Sequence, residues 1–205
     1  MSETKTNIKE SYNYCFSDKF DIEDNEERRI YVNCDIDENI IDSAVYHILR
    51  YNRMDKDIPI NERKPIKIYI STPGGVVTAG YVLIDAIMTS KTPVYTINLG
   101  TAYSMGFLIF IAGTKRFSMP SATYLLHDGS SFAWDSTNKL KDRVEFEAGE
   151  MEEHTKKYIV ERTNISEEKY MENIRKEWYF YPEEAKKLGV VTHIVGTDCD
   201  IDEII

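Results

Sequence analysis

Two segments rich in small residues, Thr72-Pro73-Gly74-Gly75 and Gly100-Thr101-Ala102-Tyr103-Ser104-Met105-Gly106, allow the backbone to approach a ligand closely. Each follows a strand-like run and precedes a helical pattern. Both therefore read as strand-to-helix turns, the places where parallel α/β architectures build their sites. The helix starts beyond them offer unpaired N–H groups and a positive dipole end, and two such starts converging stabilise an oxyanion. Ser104 lies at the second of these turns. A serine there is ordinarily an N-cap and becomes a nucleophile only with a base in reach. Among the four histidines, His47 and His154 fall on amphipathic helices and His193 in a C-terminal strand, where structural or surface roles are the ordinary reading. His127 differs, because it ends the apolar strand 123–126 ahead of Asp128-Gly129 and is presented at a strand terminus. A Ser at a helix start and a His at a strand end are two parts of an acyl-transfer site. Asp128 cannot orient the imidazole, since neighbouring side chains of an extended chain point opposite ways. The acid must come from elsewhere. Phosphate-loop and dinucleotide patterns are both absent, and Ala102 rules out a G-x-S-x-G elbow.

The elements that must hold these residues alternate. Ile30-Tyr31-Val32 reads as a strand, and Ile40, Ile41, Ala44, Val45, Ile48 and Leu49 recur at helical spacing. Residues 55–65 read as a loop and Ile66–Ser71 as a β-branched strand. Val76–Met88 reads as a largely buried helix and Pro93–Asn98 as the next strand, which is a β-α-β order and predicts parallel pairing. An apolar helix follows Ser104, and short strands are expected at 116–119 and 123–126. Residues 139–163 form a long helix with one apolar stripe, Leu140, Val144, Ala148, Met151, Tyr158 and Ile159. At 1.5 Å per residue it is roughly 37 Å long, more than this domain needs for its own core, which predicts contact with another subunit. A helix from about Ser166 and another over 182–188 precede a strand at 190–195, with Pro182 starting and Gly189 ending the second. Residues 1–28 are polar and acidic with scattered aromatics and read as an N-terminal arm, disordered or docked. Residues 29–205 read as a single domain.

The chain of 205 residues has 25 basic against 35 acidic side chains, a net charge of −10 that repels phosphate backbones. Its basic residues are interleaved with acids, so nucleic acid is excluded as a partner. Cys15, Cys34 and Cys199 are odd in number and fit no metal-ligand spacing, which predicts free thiols, a reducing compartment and no metal. The start lacks an apolar signal region, and the longest apolar run, 107–112, is far below the roughly 20 residues of a membrane span. The expectation is a cytoplasmic protein without a membrane segment.

Four blocks in order carry a resemblance. They are Ser71-Thr72-Pro73-Gly74-Gly75-Val76-Val77-Thr78-Ala79-Gly80, then Tyr103-Ser104-Met105-Gly106, then Leu125-Leu126-His127, and last Tyr181-Pro182-Glu183-Glu184-Ala185 with Leu188-Gly189-Val190-Val191. From about Arg29 to Val195 the chain resembles the proteolytic subunit of the Clp (caseinolytic) peptidases. The resemblance implies an α/β fold, a Clp-peptidase and crotonase type of spiral of ββα units with a long protruding helix. It implies an ATP-dependent serine endopeptidase, assembled as stacked homo-oligomeric rings around its active sites, with peptides or unfolded proteins as substrates and an ATPase unfoldase as partner. No cofactor is implied. By the same resemblance Ser104 is the nucleophile, His127 the general base, and the amides of Gly75 and Met105 the oxyanion hole. The peptide would be bound as an added strand by Gly74 and Val76 on one side and Gly129 and Ser130 on the other. The family's acid is Asp, and the matching position, counted back from the last block, is Glu177.

The sequence also departs from the pattern. Asp128-Gly129 replaces Gln-Pro after the histidine, Tyr103 stands where a small residue usually precedes the nucleophile and would crowd the site, and the first 27 residues do not match the family's axial-loop arm. Two rival readings follow: a catalytically weak or inactive ring subunit, supported by Tyr103 and Glu177, and an acyl-CoA hydratase or hydrolase of the crotonase-like fold, against which the Ser104 and His127 pair counts. A specialised viral or mobile-element protease fits the divergent arm.

Overall fold

A computed structural model describes residues 16–129 and 134–205. Seven strands form one sheet, and its parallel body runs in the order β1 (Arg29–Val32), β2 (Ile66–Thr72), β3 (Val94–Tyr103), β4 (Lys115–Ser118) and β7 (His193–Ile194). Between β1 and β2 the chain makes a π-helical turn, Ile41–Val45, that continues into α2 (Tyr46–Met54). Between β2 and β3 it forms α3 (Val77–Thr89), and after β3 it forms α4 (Met105–Ile111). These helices cover one face of β2, and strand residues with the C-terminal segment cover the other. Ile66, Ile68 and Ile70 face the helix-covered core, while Tyr69 joins Ile97, Phe117, Val195 and Ile204 in a second cluster on the opposite face. In the first helix Ile40, Ala44, Val45 and Ile48 are buried as the spacing requires, but Ile41 and Leu49 face solvent.

Strand β3 is longer than its sequence pattern suggests, and that length matters for the site. Gly100–Tyr103 was expected in a turn; instead it continues the strand. Up to Asn98 the strand pairs with β4, and from Thr101 it pairs with β5 (Thr123–Leu126), so it changes neighbours at Leu99 and Gly100. Asn98 fills the gap: its side chain donates to the Thr123 carbonyl at 3.1 Å and accepts from the Gly100 amide at 3.0 Å. A fully buried amide satisfied on both ends makes the switch of partner affordable. Strand β6 (Trp178–Phe180) then adds antiparallel to β5.

The long helix is continuous over α5 (Thr137–Phe146), a π-helical turn at Glu147–Met151 and α6 (Glu152–Arg162). Only its last turns belong to the core. Ile159 is fully buried and the Tyr158 hydroxyl donates to the Leu108 carbonyl, whereas no residue of α5 or of the π turn is buried. Val144 and Phe146 are both more than half exposed. Beyond it come α7 (Glu167–Asn173), capped by the Ser166 hydroxyl accepting from the Lys169 amide, and α8 (Pro182–Lys187). The strand expected over 190–195 is shortened to β7, although Val190 and Val191 are buried in the core.

Of the N-terminal arm, residues 16–27 form α1 (Phe16–Glu27); residues 1–15, with Cys15, lie outside the described residues. A buried ion pair fastens the arm's junction with β1. Arg28 clamps Asp55 through two hydrogen bonds of 2.6 Å, and the Thr92 hydroxyl donates to the same carboxylate at 2.8 Å. Asp55 is 1% exposed, and the Arg28 bonds hold its carboxyl below the usual carboxylate range. A depressed folded pKa contributes stability that is present above the unfolded value, about 4, and is lost as pH falls through the folded one. Asp55→Asn leaves the guanidinium without its counter-charge. It should cost about 3 kcal/mol, lower the melting temperature by roughly 6–12 °C and flatten the acid limb of the stability profile. Thermal melts of both proteins from pH 7 to pH 3 check this; equal slopes would refute it.

Candidate active site

Strand register brings the candidate residues together. Tyr103 pairs with Leu125, and the Ser104 amide donates to the Leu125 carbonyl at 3.0 Å, so Ser104 lies beside the end of β5 that presents His127. Leu126 pairs with Trp178 across the antiparallel ladder. Continuing that register by one residue sets Glu177 opposite His127, and directly opposed residues project to the same face. Accordingly His127 Nδ1 donates to Glu177 Oε1 at 2.8 Å. The carboxylate can only accept, so it holds the imidazole in the tautomer that carries its proton on Nδ1 and leaves Nε2 to take up another. Asp128 takes no part: Arg175 binds its carboxylate at 3.0 Å and reaches Glu152 of the long helix at 2.8 Å.

Ser104 occupies the turn between β3 and α4 with φ 51° and ψ −117°, a conformation a side chain rarely adopts. It stands at the N-cap, yet its hydroxyl makes no capping bond. Strain of this kind costs on the order of 1–3 kcal/mol and persists only where the surroundings impose it. Here α4 imposes it. Every residue from Met105 to Ile111 is buried, and each large apolar side chain among them contributes about 1.5–3 kcal/mol, so burial outweighs the strain several times over.

The Pro-Gly-Gly turn lies against this elbow. Gly74 has φ 106°, and a Cβ there would lie 2.8 Å from the Ser104 Cβ and 3.1 Å from the Met105 amide nitrogen. Gly75 has φ 147°, and its Cβ would lie 2.2 Å from the Ile36 carbonyl oxygen. Only glycines allow both approaches. Ile36 bridges this segment by donating to the Gly74 carbonyl at 2.8 Å and accepting from the Val76 amide at 2.7 Å. The Gly75 amide is left out of that bridge, and the Met105 amide is the first of α4, where helix geometry supplies no acceptor. Among the described residues, neither of the two amides expected to hold an oxyanion donates to another backbone carbonyl in the turns and bridges around the site. Of the residues expected to bind a peptide, Gly74 and Val76 already give one carbonyl and one amide to Ile36. Gly129 is exposed beyond His127, and Ser130 lies outside the described residues.

Among the described residues no hydrogen bond joins the Ser104 hydroxyl to His127; bonds of this kind tighten when substrate is bound. The crowding expected of Tyr103 is directed sideways. Its ring packs edge-on against Tyr179 at 5.6 Å between centroids, and its hydroxyl bonds to the Thr123 hydroxyl at 2.7 Å. Tyr179 escaped the sequence reading because β6 did. The aromatic triplet Trp178-Tyr179-Phe180 between a charged run and Pro182 was the available signal for that strand.

The family model for Clp protease matches residues 20–198 of this chain, nearly all of the described structure. The chain belongs to the Clp protease family. It is 31% identical over 143 residues, 67% of this chain and 70% of the relative, to the "ATP-dependent Clp protease proteolytic subunit 2" of Treponema pallidum (strain Nichols). A ClpP1 mutant from Listeria monocytogenes shares its fold, with a TM-score of 0.73 over 91% of this chain and 99% of that one at 23% identity. The Clp-type α/β fold with its parallel sheet is thus the fold of this chain, as the four sequence blocks implied. Clp family membership makes it a protease. Among the described residues no helix is long and apolar enough to cross a membrane, and no group of three or more His, Cys, Asp or Glu could hold a metal ion.

Proposed function

We propose that this Clp-family chain is a serine endopeptidase that works through Ser104, His127 and Glu177 inside a self-compartmentalised ring assembly. The observation that carries the reading is the 2.8 Å contact between His127 Nδ1 and Glu177 Oε1, made at the end of the strand beside Ser104. An acid, an imidazole and an uncapped serine on a strained elbow are the components of acyl transfer. His127 Nε2 accepts the Ser104 proton as the oxygen attacks the scissile carbonyl. The carbonyl oxygen, now carrying the charge, is held by the Gly75 and Met105 amides. The imidazolium, stabilised by Glu177, then gives its proton to the leaving amine, and water hydrolyses the acyl-enzyme by the same path in reverse. The contact also weighs against an inactive ring subunit, for which Glu177 was evidence alongside Tyr103.

The substrate is a peptide or unfolded protein, admitted as an extended strand beside the glycine turn. Residues 29–205 act as the single peptidase domain and residues 1–28 as its arm. The divergent arm leaves an ATPase unfoldase as a partner suggested by family membership alone. Assembly is supported by the long helix, whose apolar residues Val144 and Phe146 are left more than half exposed among the described residues. Light scattering should give a mass many times 23.8 kDa, and hydrolysis of an unstructured fluorogenic peptide should accompany that particle. Met151→Glu, an unpaired charge in the proposed contact, should break the particle. A wild-type monomer at micromolar concentration would contradict the assembly, and a particle with no peptidase activity would contradict the enzyme.

A further inference from the structure

A glutamate in the acid's place raises a physical problem. Its extra methylene adds a rotatable bond, and the Glu177 side chain is 58% exposed, so burial does not confine it. An unconfined carboxylate spends its time among rotamers, and every productive contact with His127 must then overcome the loss of that freedom. Something has to hold its far oxygen.

The structure supplies such a holder from two residues with no counterpart in the roles above. Tyr179 lies on β6 two positions after Glu177, which immediately precedes the strand, so in the extended chain both side chains project to the same face. Its hydroxyl donates to Glu177 Oε2 at 3.3 Å, while Oε1 receives the His127 proton. The ring that carries this hydroxyl is itself braced. Tyr103, Leu125 and Tyr179 stand in one row across three neighbouring strands, with Tyr103 opposite Leu125 and Leu125 opposite Tyr179. Tyr103 meets Tyr179 edge-to-face at 82° between ring planes, the geometry favoured by the ring quadrupoles. The Tyr103 hydroxyl is fastened in turn to Thr123 on β5. Burial, and after it the charge of Glu177, raises the Tyr179 hydroxyl pKa, so it keeps its proton and remains a donor.

We propose that Tyr179, braced by Tyr103, is a positioning residue that fixes the far oxygen of Glu177 and thereby the angle at which the near one meets His127. This rests on the roles proposed for His127 and Glu177. It accounts for two of the departures from the family pattern at once: the longer acid requires a second anchor, and the large residue before the nucleophile provides the brace for it.

The test is Tyr179→Phe, which keeps the ring, the row and the stacking and removes one oxygen. With a fluorogenic peptide, kcat should fall about three- to tenfold, the ordinary worth of one hydrogen bond, with KM unchanged. Tyr103→Ala should fall in the same direction, and Tyr103→Phe, which keeps the ring against Tyr179 but loses the bond to Thr123, should fall less than Tyr103→Ala. The decisive readout is coupling. In a Glu177→Asp background the shorter carboxylate cannot span both partners, so Tyr179→Phe should alter the rate of fluorophosphonate labelling at Ser104 less than about twofold; labelling remains measurable in slow variants. A parent kcat for Tyr179→Phe overturns the proposal, as does an equal loss in both backgrounds, which marks a merely structural tyrosine. Failure of the unsubstituted protein to label at Ser104 would instead overturn the serine-protease reading on which the proposal stands.

Discussion

Ser104→Ala is expected to lower peptide hydrolysis by about 10⁴ to 10⁶ while leaving the particle assembled. The size follows from what the hydroxyl does in the proposed mechanism. Without it no acyl-enzyme forms, and only the amides of Gly75 and Met105 and the bound orientation of the peptide remain to assist water. Stability should hardly change. The hydroxyl caps nothing, and alanine meets the same φ of 51° as serine, so the strain is kept. Ser104→Gly separates the two quantities further. It abolishes activity to the same extent but relieves the backbone, and should raise stability by about 1 kcal/mol. Steady-state hydrolysis together with thermal melts of the three proteins checks both statements. A Ser104→Ala protein with a tenth or more of the parent rate would remove Ser104 from the mechanism.

The second large effect is expected at Glu177. Glu177→Gln preserves shape and length but removes the charge that stabilises the imidazolium. Its amide can also turn its N–H₂ toward His127 Nδ1, favouring the tautomer with the proton on Nε2, which cannot act as the base. A fall in kcat of up to about 10⁴ is expected on that account. Glu177→Asp keeps the charge and withdraws it by one methylene. Since the 2.8 Å contact with His127 and the 3.3 Å contact with Tyr179 are both made by the longer side chain, the aspartate must give up at least one of them, and turnover should change. Rates for both variants at saturating peptide decide it. If each assembles and keeps the parent rate, Glu177 is a solvated charge.

What could be read in the sequence, and what could not, follows from how local each signal is. The glycine turn, the elbow and the histidine each lie at the end of a strong apolar or β-branched run, and a period of two or 3.6 locates them without tertiary information. Glu177 was reached only by counting from Pro182, because the strand that presents it has three residues and is defined by its pairing with β5. Its link with His127 is a fact of register, and register is invisible in a single segment. The extension of β3 through Gly100 was hidden for a similar reason. Glycine ordinarily weakens a strand, and here the compensation comes from the buried Asn98 bonding across the gap. The outward-facing Ile41 and Leu49 show the limit of helical periodicity. A π-helical turn at Ile41–Val45 shifts the angular phase, so residues spaced for one stripe divide between core and solvent. The bracing of Tyr179 by Tyr103 joins residues 76 positions apart and could emerge only from the folded sheet.

The most direct test of the central claim is labelling with a fluorophosphonate probe followed by peptide mapping. An active serine hydrolase reacts with such a probe through its nucleophile alone, because only an oxygen beside a functioning base displaces the leaving group at a useful rate. The account predicts one modified residue, Ser104, with labelling lost in Ser104→Ala, suppressed when His127 is replaced by alanine, and slowed in Glu177→Gln. An unmodified Ser104, under conditions where a known serine hydrolase is fully labelled, would contradict it.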